Sequence, residues 1–182
     1  MLIAGIGGSG KTTLARRLAP VLGLPFHHLD GLYLGPDLRM SPTFVSDIER
    51  IVAGDEWLFD SQGSPASSEA PPEVTALLWS RADTLIWLDY PRRVVLWRAI
   101  KRSLRRIITR EELWHGHRET PCWWLRPNHP IRRAWRLTRI RHDQLTARTQ
   151  DPLWAHLTVI QLRSPRETVT WLGRIESDYQ AR

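Results

Sequence analysis

Gly5-Ile6-Gly7-Gly8-Ser9-Gly10-Lys11-Thr12 is a complete G-x-x-x-x-G-K-[ST] phosphate-binding loop, and its flanks decide the fold. Leu2-Ile3-Ala4 is a short apolar run suited to a buried strand, and Thr13-Leu14-Ala15-Arg16-Arg17-Leu18 opens a helix. Strand, glycine-rich loop and helix come in the order that the motif requires. The glycines let the backbone take positive φ and turn successive N–H groups inward, so that loop and helix N-terminus form a cradle for anions. The motif therefore predicts that Gly5, Gly7, Gly8, Ser9, Gly10, Lys11, Thr12 and Thr13 hold the phosphates of ATP. Lys11 is expected to reach the β- and γ-phosphates, and the Thr12 hydroxyl to ligate Mg2+. A glycine-rich turn that binds no nucleotide is the competing reading, and the matching flanks weigh against it.

The chain has 182 residues, 42% of them hydrophobic, enough for one substantial core and a single domain. No apolar run approaches the ~18 residues that span a bilayer. The phosphate loop starts too early to leave room for a signal peptide, so the expectation is a cytoplasmic protein with no membrane contact. Cys122 stands alone, which excludes an internal disulfide and a cysteine-rich zinc site. The net charge of +7 rests on arginine, since Lys11 and Lys101 are the only lysines. Such a balance suits polyanions: nucleotides, phosphorylated substrates or nucleic acid.

From the first helix onward the pattern alternates helix and strand, which predicts right-handed crossovers and a parallel sheet. Pro20 to Gly23 mark the exit of the first helix, and residues 24–29 read as a second strand ending at Asp30. Ligands gather beyond the carboxyl ends of such strands. Asp30 is thus a candidate catalytic carboxylate, able to take a proton from an acceptor hydroxyl or to hold Mg2+ through water. Gly31 to Met40 reads as a loop, followed by Ser41 as N-cap, Pro42 at the first helical position, and a helix closed by Gly54. Residues 31–54 together form the expected acceptor-binding lobe. Trp57-Leu58-Phe59 is the third strand, and Asp60 at its end is the expected Mg2+ carboxylate, with Asp89 after the fourth strand as its alternative. Ser61 to Pro72 is a surface loop and 73–80 a short helix.

Residues 92–106 read as a basic helix on which Arg98 and Arg102, four apart, share a face and suit a clamp on transferring phosphates. Residues 107–130 lose periodicity and form the expected lid, with Arg118 as a further catalytic candidate. Its His115 and His117, with His129, lack the spacing of a zinc site. A long basic helix follows over 131–149; read alone, its arginines and Trp135 suit nucleic acid, a partner class not favoured in this context. Residues 156–162 form the fifth strand. Ser164 and Glu167 form a capping box for a last helix over 165–176, and Arg163 in the turn between them is expected near the nucleotide base.

Several stretches together resemble the bacterial topology modulation protein group, small adenylate-kinase-like P-loop proteins. They are the phosphate loop, His28-Leu29-Asp30-Gly31-Leu32-Tyr33, Trp57-Leu58-Phe59-Asp60, Leu88-Asp89-Tyr90-Pro91, Trp97-Arg98 and Leu113-Trp114-His115-Gly116-His117-Arg118-Glu119. The resemblance covers nearly the whole chain. It implies an α/β three-layer P-loop NTPase with a five-stranded parallel sheet of nucleoside-monophosphate-kinase type, carrying a lid and an acceptor lobe. By similarity to adenylate kinases it implies that Asp60 is the acid after the third strand and that Arg98 and Arg102 lead into the lid. The activity so implied is transfer of the γ-phosphoryl group of Mg·ATP to a small-molecule acceptor, a hydroxyl or a phosphate. The alternatives are a nucleotide-regulated nucleic-acid-binding protein and a nucleoside triphosphate-binding protein with no acceptor.

Overall fold

Leu2, Ile3 and Ala4 are each 0% exposed and form the middle strand of a five-stranded parallel sheet. The computed structural model describes residues 1–33, 40–61, 71–109 and 130–181. In chain order these form β1 (Leu2–Gly5), α1 (Lys11–Leu22), β2 (Phe26–His27), α2 (Leu29–Tyr33), α3 (Phe44–Val52) and β3 (Leu58–Phe59). Then come α4 (Pro72–Arg81), β4 (Thr84–Leu88), α5 (Arg92–Thr109), α6 (Pro130–Thr149), a 3-10 turn at Pro152–Trp154, β5 (Thr158–Leu162) and α7 (Pro165–Gln180).

The sheet order is β2-β3-β1-β4-β5, with β1 paired in register from Leu2↔Leu85 to Gly5↔Leu88 and β4 from Thr84↔Thr158 to Leu88↔Leu162. Alternation along the strands divides the core between two faces. Leu2, Ala4, Phe59, Leu85 and Trp87 pack with Phe44 and Ile48 of α3 and Leu78 and Trp79 of α4. Ile3, Leu58, Ile86 and Leu88 pack with Leu14 and Leu18 of α1, Val95 and Ala99 of α5 and Leu172 of α7. Helices on both faces of a parallel sheet make three layers, and each fully buried Leu or Ile in them contributes about 1.5–3 kcal/mol. All five strands run the same way, so Gly5, Asp60, Asp89 and Arg163 follow four of them at one edge, and Asp30 lies just past the fifth.

β2 and β5 are shorter than the pattern and α7 runs on to Gln180, while α5 continues to Thr109 and takes in residues 107–109 of the expected lid; three other local differences have a visible cause. α1 continues through Pro20 and stops at Gly23, whose left-handed backbone (φ 69°) lets its N–H reach the Ala19 carbonyl. The missing N–H of Pro20 costs one bond near the helix end, and the burial of Leu18 and Ala19 offsets it. Ser41 and Pro42 are not the N-cap and first residue of α3: Thr43 is the N-cap and Phe44 the first residue, and the Phe44 N–H donates to the Ser41 carbonyl at 3.0 Å. Residues 31–33 belong to α2 rather than to a loop, because the Leu32 and Gly31 amides bond the His28 carbonyl and continue a helical turn straight out of β2. Only one half of the capping box forms, the Glu167 N–H donating to Ser164 Oγ at 3.1 Å. The Glu167 carboxylate turns to the Arg163 N–H instead, at 2.6 Å.

Candidate functional site

Gly5, Gly8 and Gly10 hold φ values of 142°, 91° and 100°, so the loop takes the backbone path that only glycine follows cheaply. The Ser9 N–H closes the turn on the Ile6 carbonyl at 3.1 Å. The Ser9 side chain is 1% exposed, and its hydroxyl has no partner among the described residues. Lys11, at the start of α1, lays its ammonium over the loop, donating to Gly5 O at 3.0 Å and Ile6 O at 3.3 Å. Burial holds its pKa below the usual lysine value, and Arg141 and Arg102 push the same way, while Asp60 and Asp30 oppose them. Both carboxylates singled out from the sequence are therefore close enough to act on Lys11.

Asp60 is 4% exposed. Its Oδ2 accepts from Thr12 Oγ1 at 2.5 Å and its Oδ1 from the Leu29 N–H at 3.3 Å. The structure thus brings the two predicted Mg2+ ligands together across the mouth of the loop and ties them to the start of α2, which carries Asp30. His28 completes this corner with Nε2 3.6 Å from Asp60 Oδ2. The Gly31 N–H lies 3.2 Å from His28 Nδ1, which leaves Nε2 as the ring nitrogen facing the carboxylate.

Arg98 reaches the loop from α5: its Nη1 donates to the Ser9 carbonyl at 2.6 Å, and its guanidinium lies 5.0 Å from the Tyr90 ring centre. Arg102 is one turn further along and contributes positive potential at Lys11. Asp89, the alternative carboxylate after the fourth strand, bonds His142 Nδ1 through Oδ1 at 2.9 Å and accepts from Gln161 Nε2 on Oδ2 at 2.8 Å. Arg163 is exposed at the end of β5, with Nη2 donating to Gln161 Oε1 at 3.2 Å. Thr13 is exposed on the first turn of α1. Arg118 and most of the expected lid, 110–129, lie outside the described residues, as do 34–39 of the acceptor lobe and 62–70 of the surface loop. Among the described residues no cluster of three metal-binding side chains occurs.

Two residues beside the loop were not singled out by the motif reading. Arg141 sat in a basic row on α6 that pointed to nucleic acid, yet it lines a small open cleft together with Gly5 and Ile6. His28 opened one of the stretches that carry the family resemblance, but with no role assigned to it.

No family model and no curated protein sequence matches the chain. Solved structures do. A shikimate kinase from Acinetobacter baumannii, in complex with shikimate, superposes with a TM-score of 0.53 at 15% identity over 99% of this chain and 92% of its own. A shikimate kinase from Aquifex aeolicus superposes with a TM-score of 0.50 at 14% identity over 100% and 97%. The fold is that of the P-loop kinases. Among the described residues no helix is long and apolar enough to cross a membrane.

Proposed function

We propose that this chain is a small-molecule kinase that moves the γ-phosphoryl group of Mg·ATP to a hydroxyl or phosphate acceptor. The observation that carries the reading is the convergence on one glycine loop of Lys11, Arg98 and Arg141 with the carboxylates Asp30 and Asp60. A loop that only turned the chain needs neither the cations nor the acids. The cradle fits a polyphosphate: its glycines are at positive φ, and its buried Ser9 hydroxyl is unpaired among the described residues. Thr12 Oγ1 and Asp60 are a hydroxyl and a carboxylate side by side, the hard oxygen donors that Mg2+ takes. Bound there, the ion supplies charge neutralisation at the phosphates.

The work of the chain's own residues is positioning and charge stabilisation. Loop N–H groups and Lys11 orient the phosphates, and Arg98, Arg102 and Arg141 offset charge as it develops. The acceptor oxygen bonds to the γ-phosphorus while the bond from that phosphorus to the bridging oxygen breaks, and the acceptor proton passes to Asp30. Arg118 is assigned the same task as Arg98, and Arg163 a place beside the nucleotide base. Residues 31–54 are assigned to the acceptor and 107–130 to a lid over a single domain. The fold shared with a shikimate kinase that binds shikimate is compatible with a hydroxylated acceptor. The motif set further supports a place in the topology modulation group, and use of ATP agrees with a cytoplasmic location.

Lys11→Ala abolishes transfer in this reading, while Asp30→Asn leaves ATP binding intact and cuts turnover. Undiminished turnover in the Asp30 variant removes its assigned role.

A second reading, a nucleic-acid surface, is favoured by one observation. α5 and α6 pack together and carry 13 of the chain's 26 cationic residues, against one acid, Asp143. Trp97 and Trp135 are 65% and 57% exposed on them, and Arg92 lies 3.4 Å above the Trp135 ring. Single-stranded DNA binding that weakens steeply with salt, and weakens further in Arg132→Ala and Arg136→Ala, supports it; salt-independent or absent binding excludes it.

A further inference from the structure

α6 is a helix whose described side chains are exposed or half-buried from Arg132 to Gln144, and Leu145 is the first fully buried one. Before Leu145, therefore, no described side chain of α6 is fully buried in the core. At its position 142 it meets the sheet through a polar contact: His142 Nδ1 bonds Asp89 Oδ1 at 2.9 Å. Asp89 is rigid ground for such a bond. Its other oxygen accepts from Gln161 Nε2 at 2.8 Å, and its own N–H donates to Leu162 O at 2.9 Å. The imidazole also lies against the indole of Trp87, with ring centres 5.5 Å apart, and Trp87 is 4% exposed. The ring is thus held at one edge by a carboxylate and on one face by a core residue.

The residue before His142 is Arg141, which lines the cleft with Gly5 and Ile6 and whose charge is felt at Lys11. Arginine carries high rotamer entropy, so its effect on a phosphate depends on how firmly its backbone is placed. We propose that His142, fastened by Asp89, is a positioning residue that sets Arg141 against the phosphate loop. The assignment rests on the kinase reading only through the contact of Arg141 with nucleotide phosphates. His142 itself touches no phosphate in this account. It acts through the helix it anchors.

The test is a mutant cycle on Mg·ATP affinity, measured calorimetrically without acceptor, so that phosphoryl transfer plays no part in the readout. Arg141→Ala is expected to bind about tenfold more weakly, the value of one charge-assisted hydrogen bond. His142→Leu is expected to bind about three- to tenfold more weakly, and the double variant no more weakly than Arg141→Ala alone. His142→Asn, whose amide N–H falls where Nδ1 sits, restores affinity to within about twofold of wild type; His142→Gln, which displaces that donor by one bond, does not. Losses that multiply in the double variant, or an Asn variant no better than the Gln variant, overturn the proposal. The Asn and Gln variants keep a polar side chain and decide the matter even if His142→Leu does not fold. A wild-type protein that binds Mg·ATP and obeys the cycle but transfers to no acceptor sinks the kinase reading and leaves the anchor standing.

Discussion

The phosphate loop holds four glycines, of which Gly5 and Gly10 stand at the fixed motif positions, and the structure ranks them. At Gly5 an added Cβ would stand 2.9 Å from the Leu88 carbonyl oxygen and 2.9 Å from Ser9 Oγ, on a backbone with φ of 142°. A side chain in that region costs about 1–3 kcal/mol in backbone strain. The Leu88 carbonyl belongs to β4, hydrogen-bonded in the sheet, and does not retreat freely; overpacking of this kind adds about 1–3 kcal/mol. Gly5→Ala should therefore lose about 3 kcal/mol or more after partial relaxation, which for a domain of this size lowers Tm by roughly 6–12 °C. At Gly10 the backbone is also left-handed, but the nearest atom is the end of the flexible Arg98 side chain at 3.3 Å. At Gly8 the neighbours are at 3.8 Å, leaving strain of about 1–2 kcal/mol alone. At Gly7 nothing lies within 4 Å, and Gly7→Ala should change stability by no more than about 0.5–1 kcal/mol, in either direction. Thermal unfolding of the four alanine variants without nucleotide checks the order. Gly5→Ala as stable as wild type, or Gly7→Ala the most damaged, refutes the loop path described here.

Three further outcomes follow from the site and core. Asp60→Asn keeps the shape that bonds Thr12 and the Leu29 N–H, so the fold should persist, while turnover falls on the order of 10²-fold and the Mg2+ dependence of ATP binding flattens; full turnover in this variant removes Asp60 from the site. Lys11 has its folded pKa lowered, so between that value and the usual 10.5 the unfolded chain holds a proton that the folded one has shed. Wild-type stability should accordingly rise with pH across that window relative to Lys11→Met, as urea titrations at several pH values would show; a falling difference contradicts the burial of Lys11. Arg148 places its guanidinium 4.6 Å from the Trp79 ring centre and 5.6 Å from that of Trp154, so Arg148→Ala should cost about 1–2 kcal/mol in thermal unfolding without changing ATP affinity.

Where a signal is local, the sequence carried it. The phosphate loop needs only consecutive residues, and the buried runs of β1 and β4 and the Ser164 cap are equally self-contained. β2 and β3 are two residues each, too short to show a period, and were legible through the acids that follow them. The start of α2 was hidden because Gly31 reads as a turn, while in the fold the buried Leu29 and Tyr33 hold the segment helical. Pairings across the chain left no trace: His142 and Asp89 are 53 positions apart, and Arg141 faces the loop only because α6 packs beside α5. The same helix carries Arg132, Arg133, Arg136, Arg139 and Arg148, so composition alone could not single it out. The same limit applied to Asp89, whose bonds to His142 and Gln161 join positions 53 and 72 apart.

The most direct measurement is ATP consumption by the purified protein with Mg2+, against a panel of hydroxylated metabolites, nucleosides and nucleoside monophosphates, with Lys11→Ala as control. A phosphoryl-transferring enzyme predicts that one chemical class raises turnover many-fold over the basal rate and yields a phosphorylated product in equal amount with ADP, and that the control does neither. Tight ATP binding with no acceptor raising turnover, or equal activity in Lys11→Ala, would contradict it.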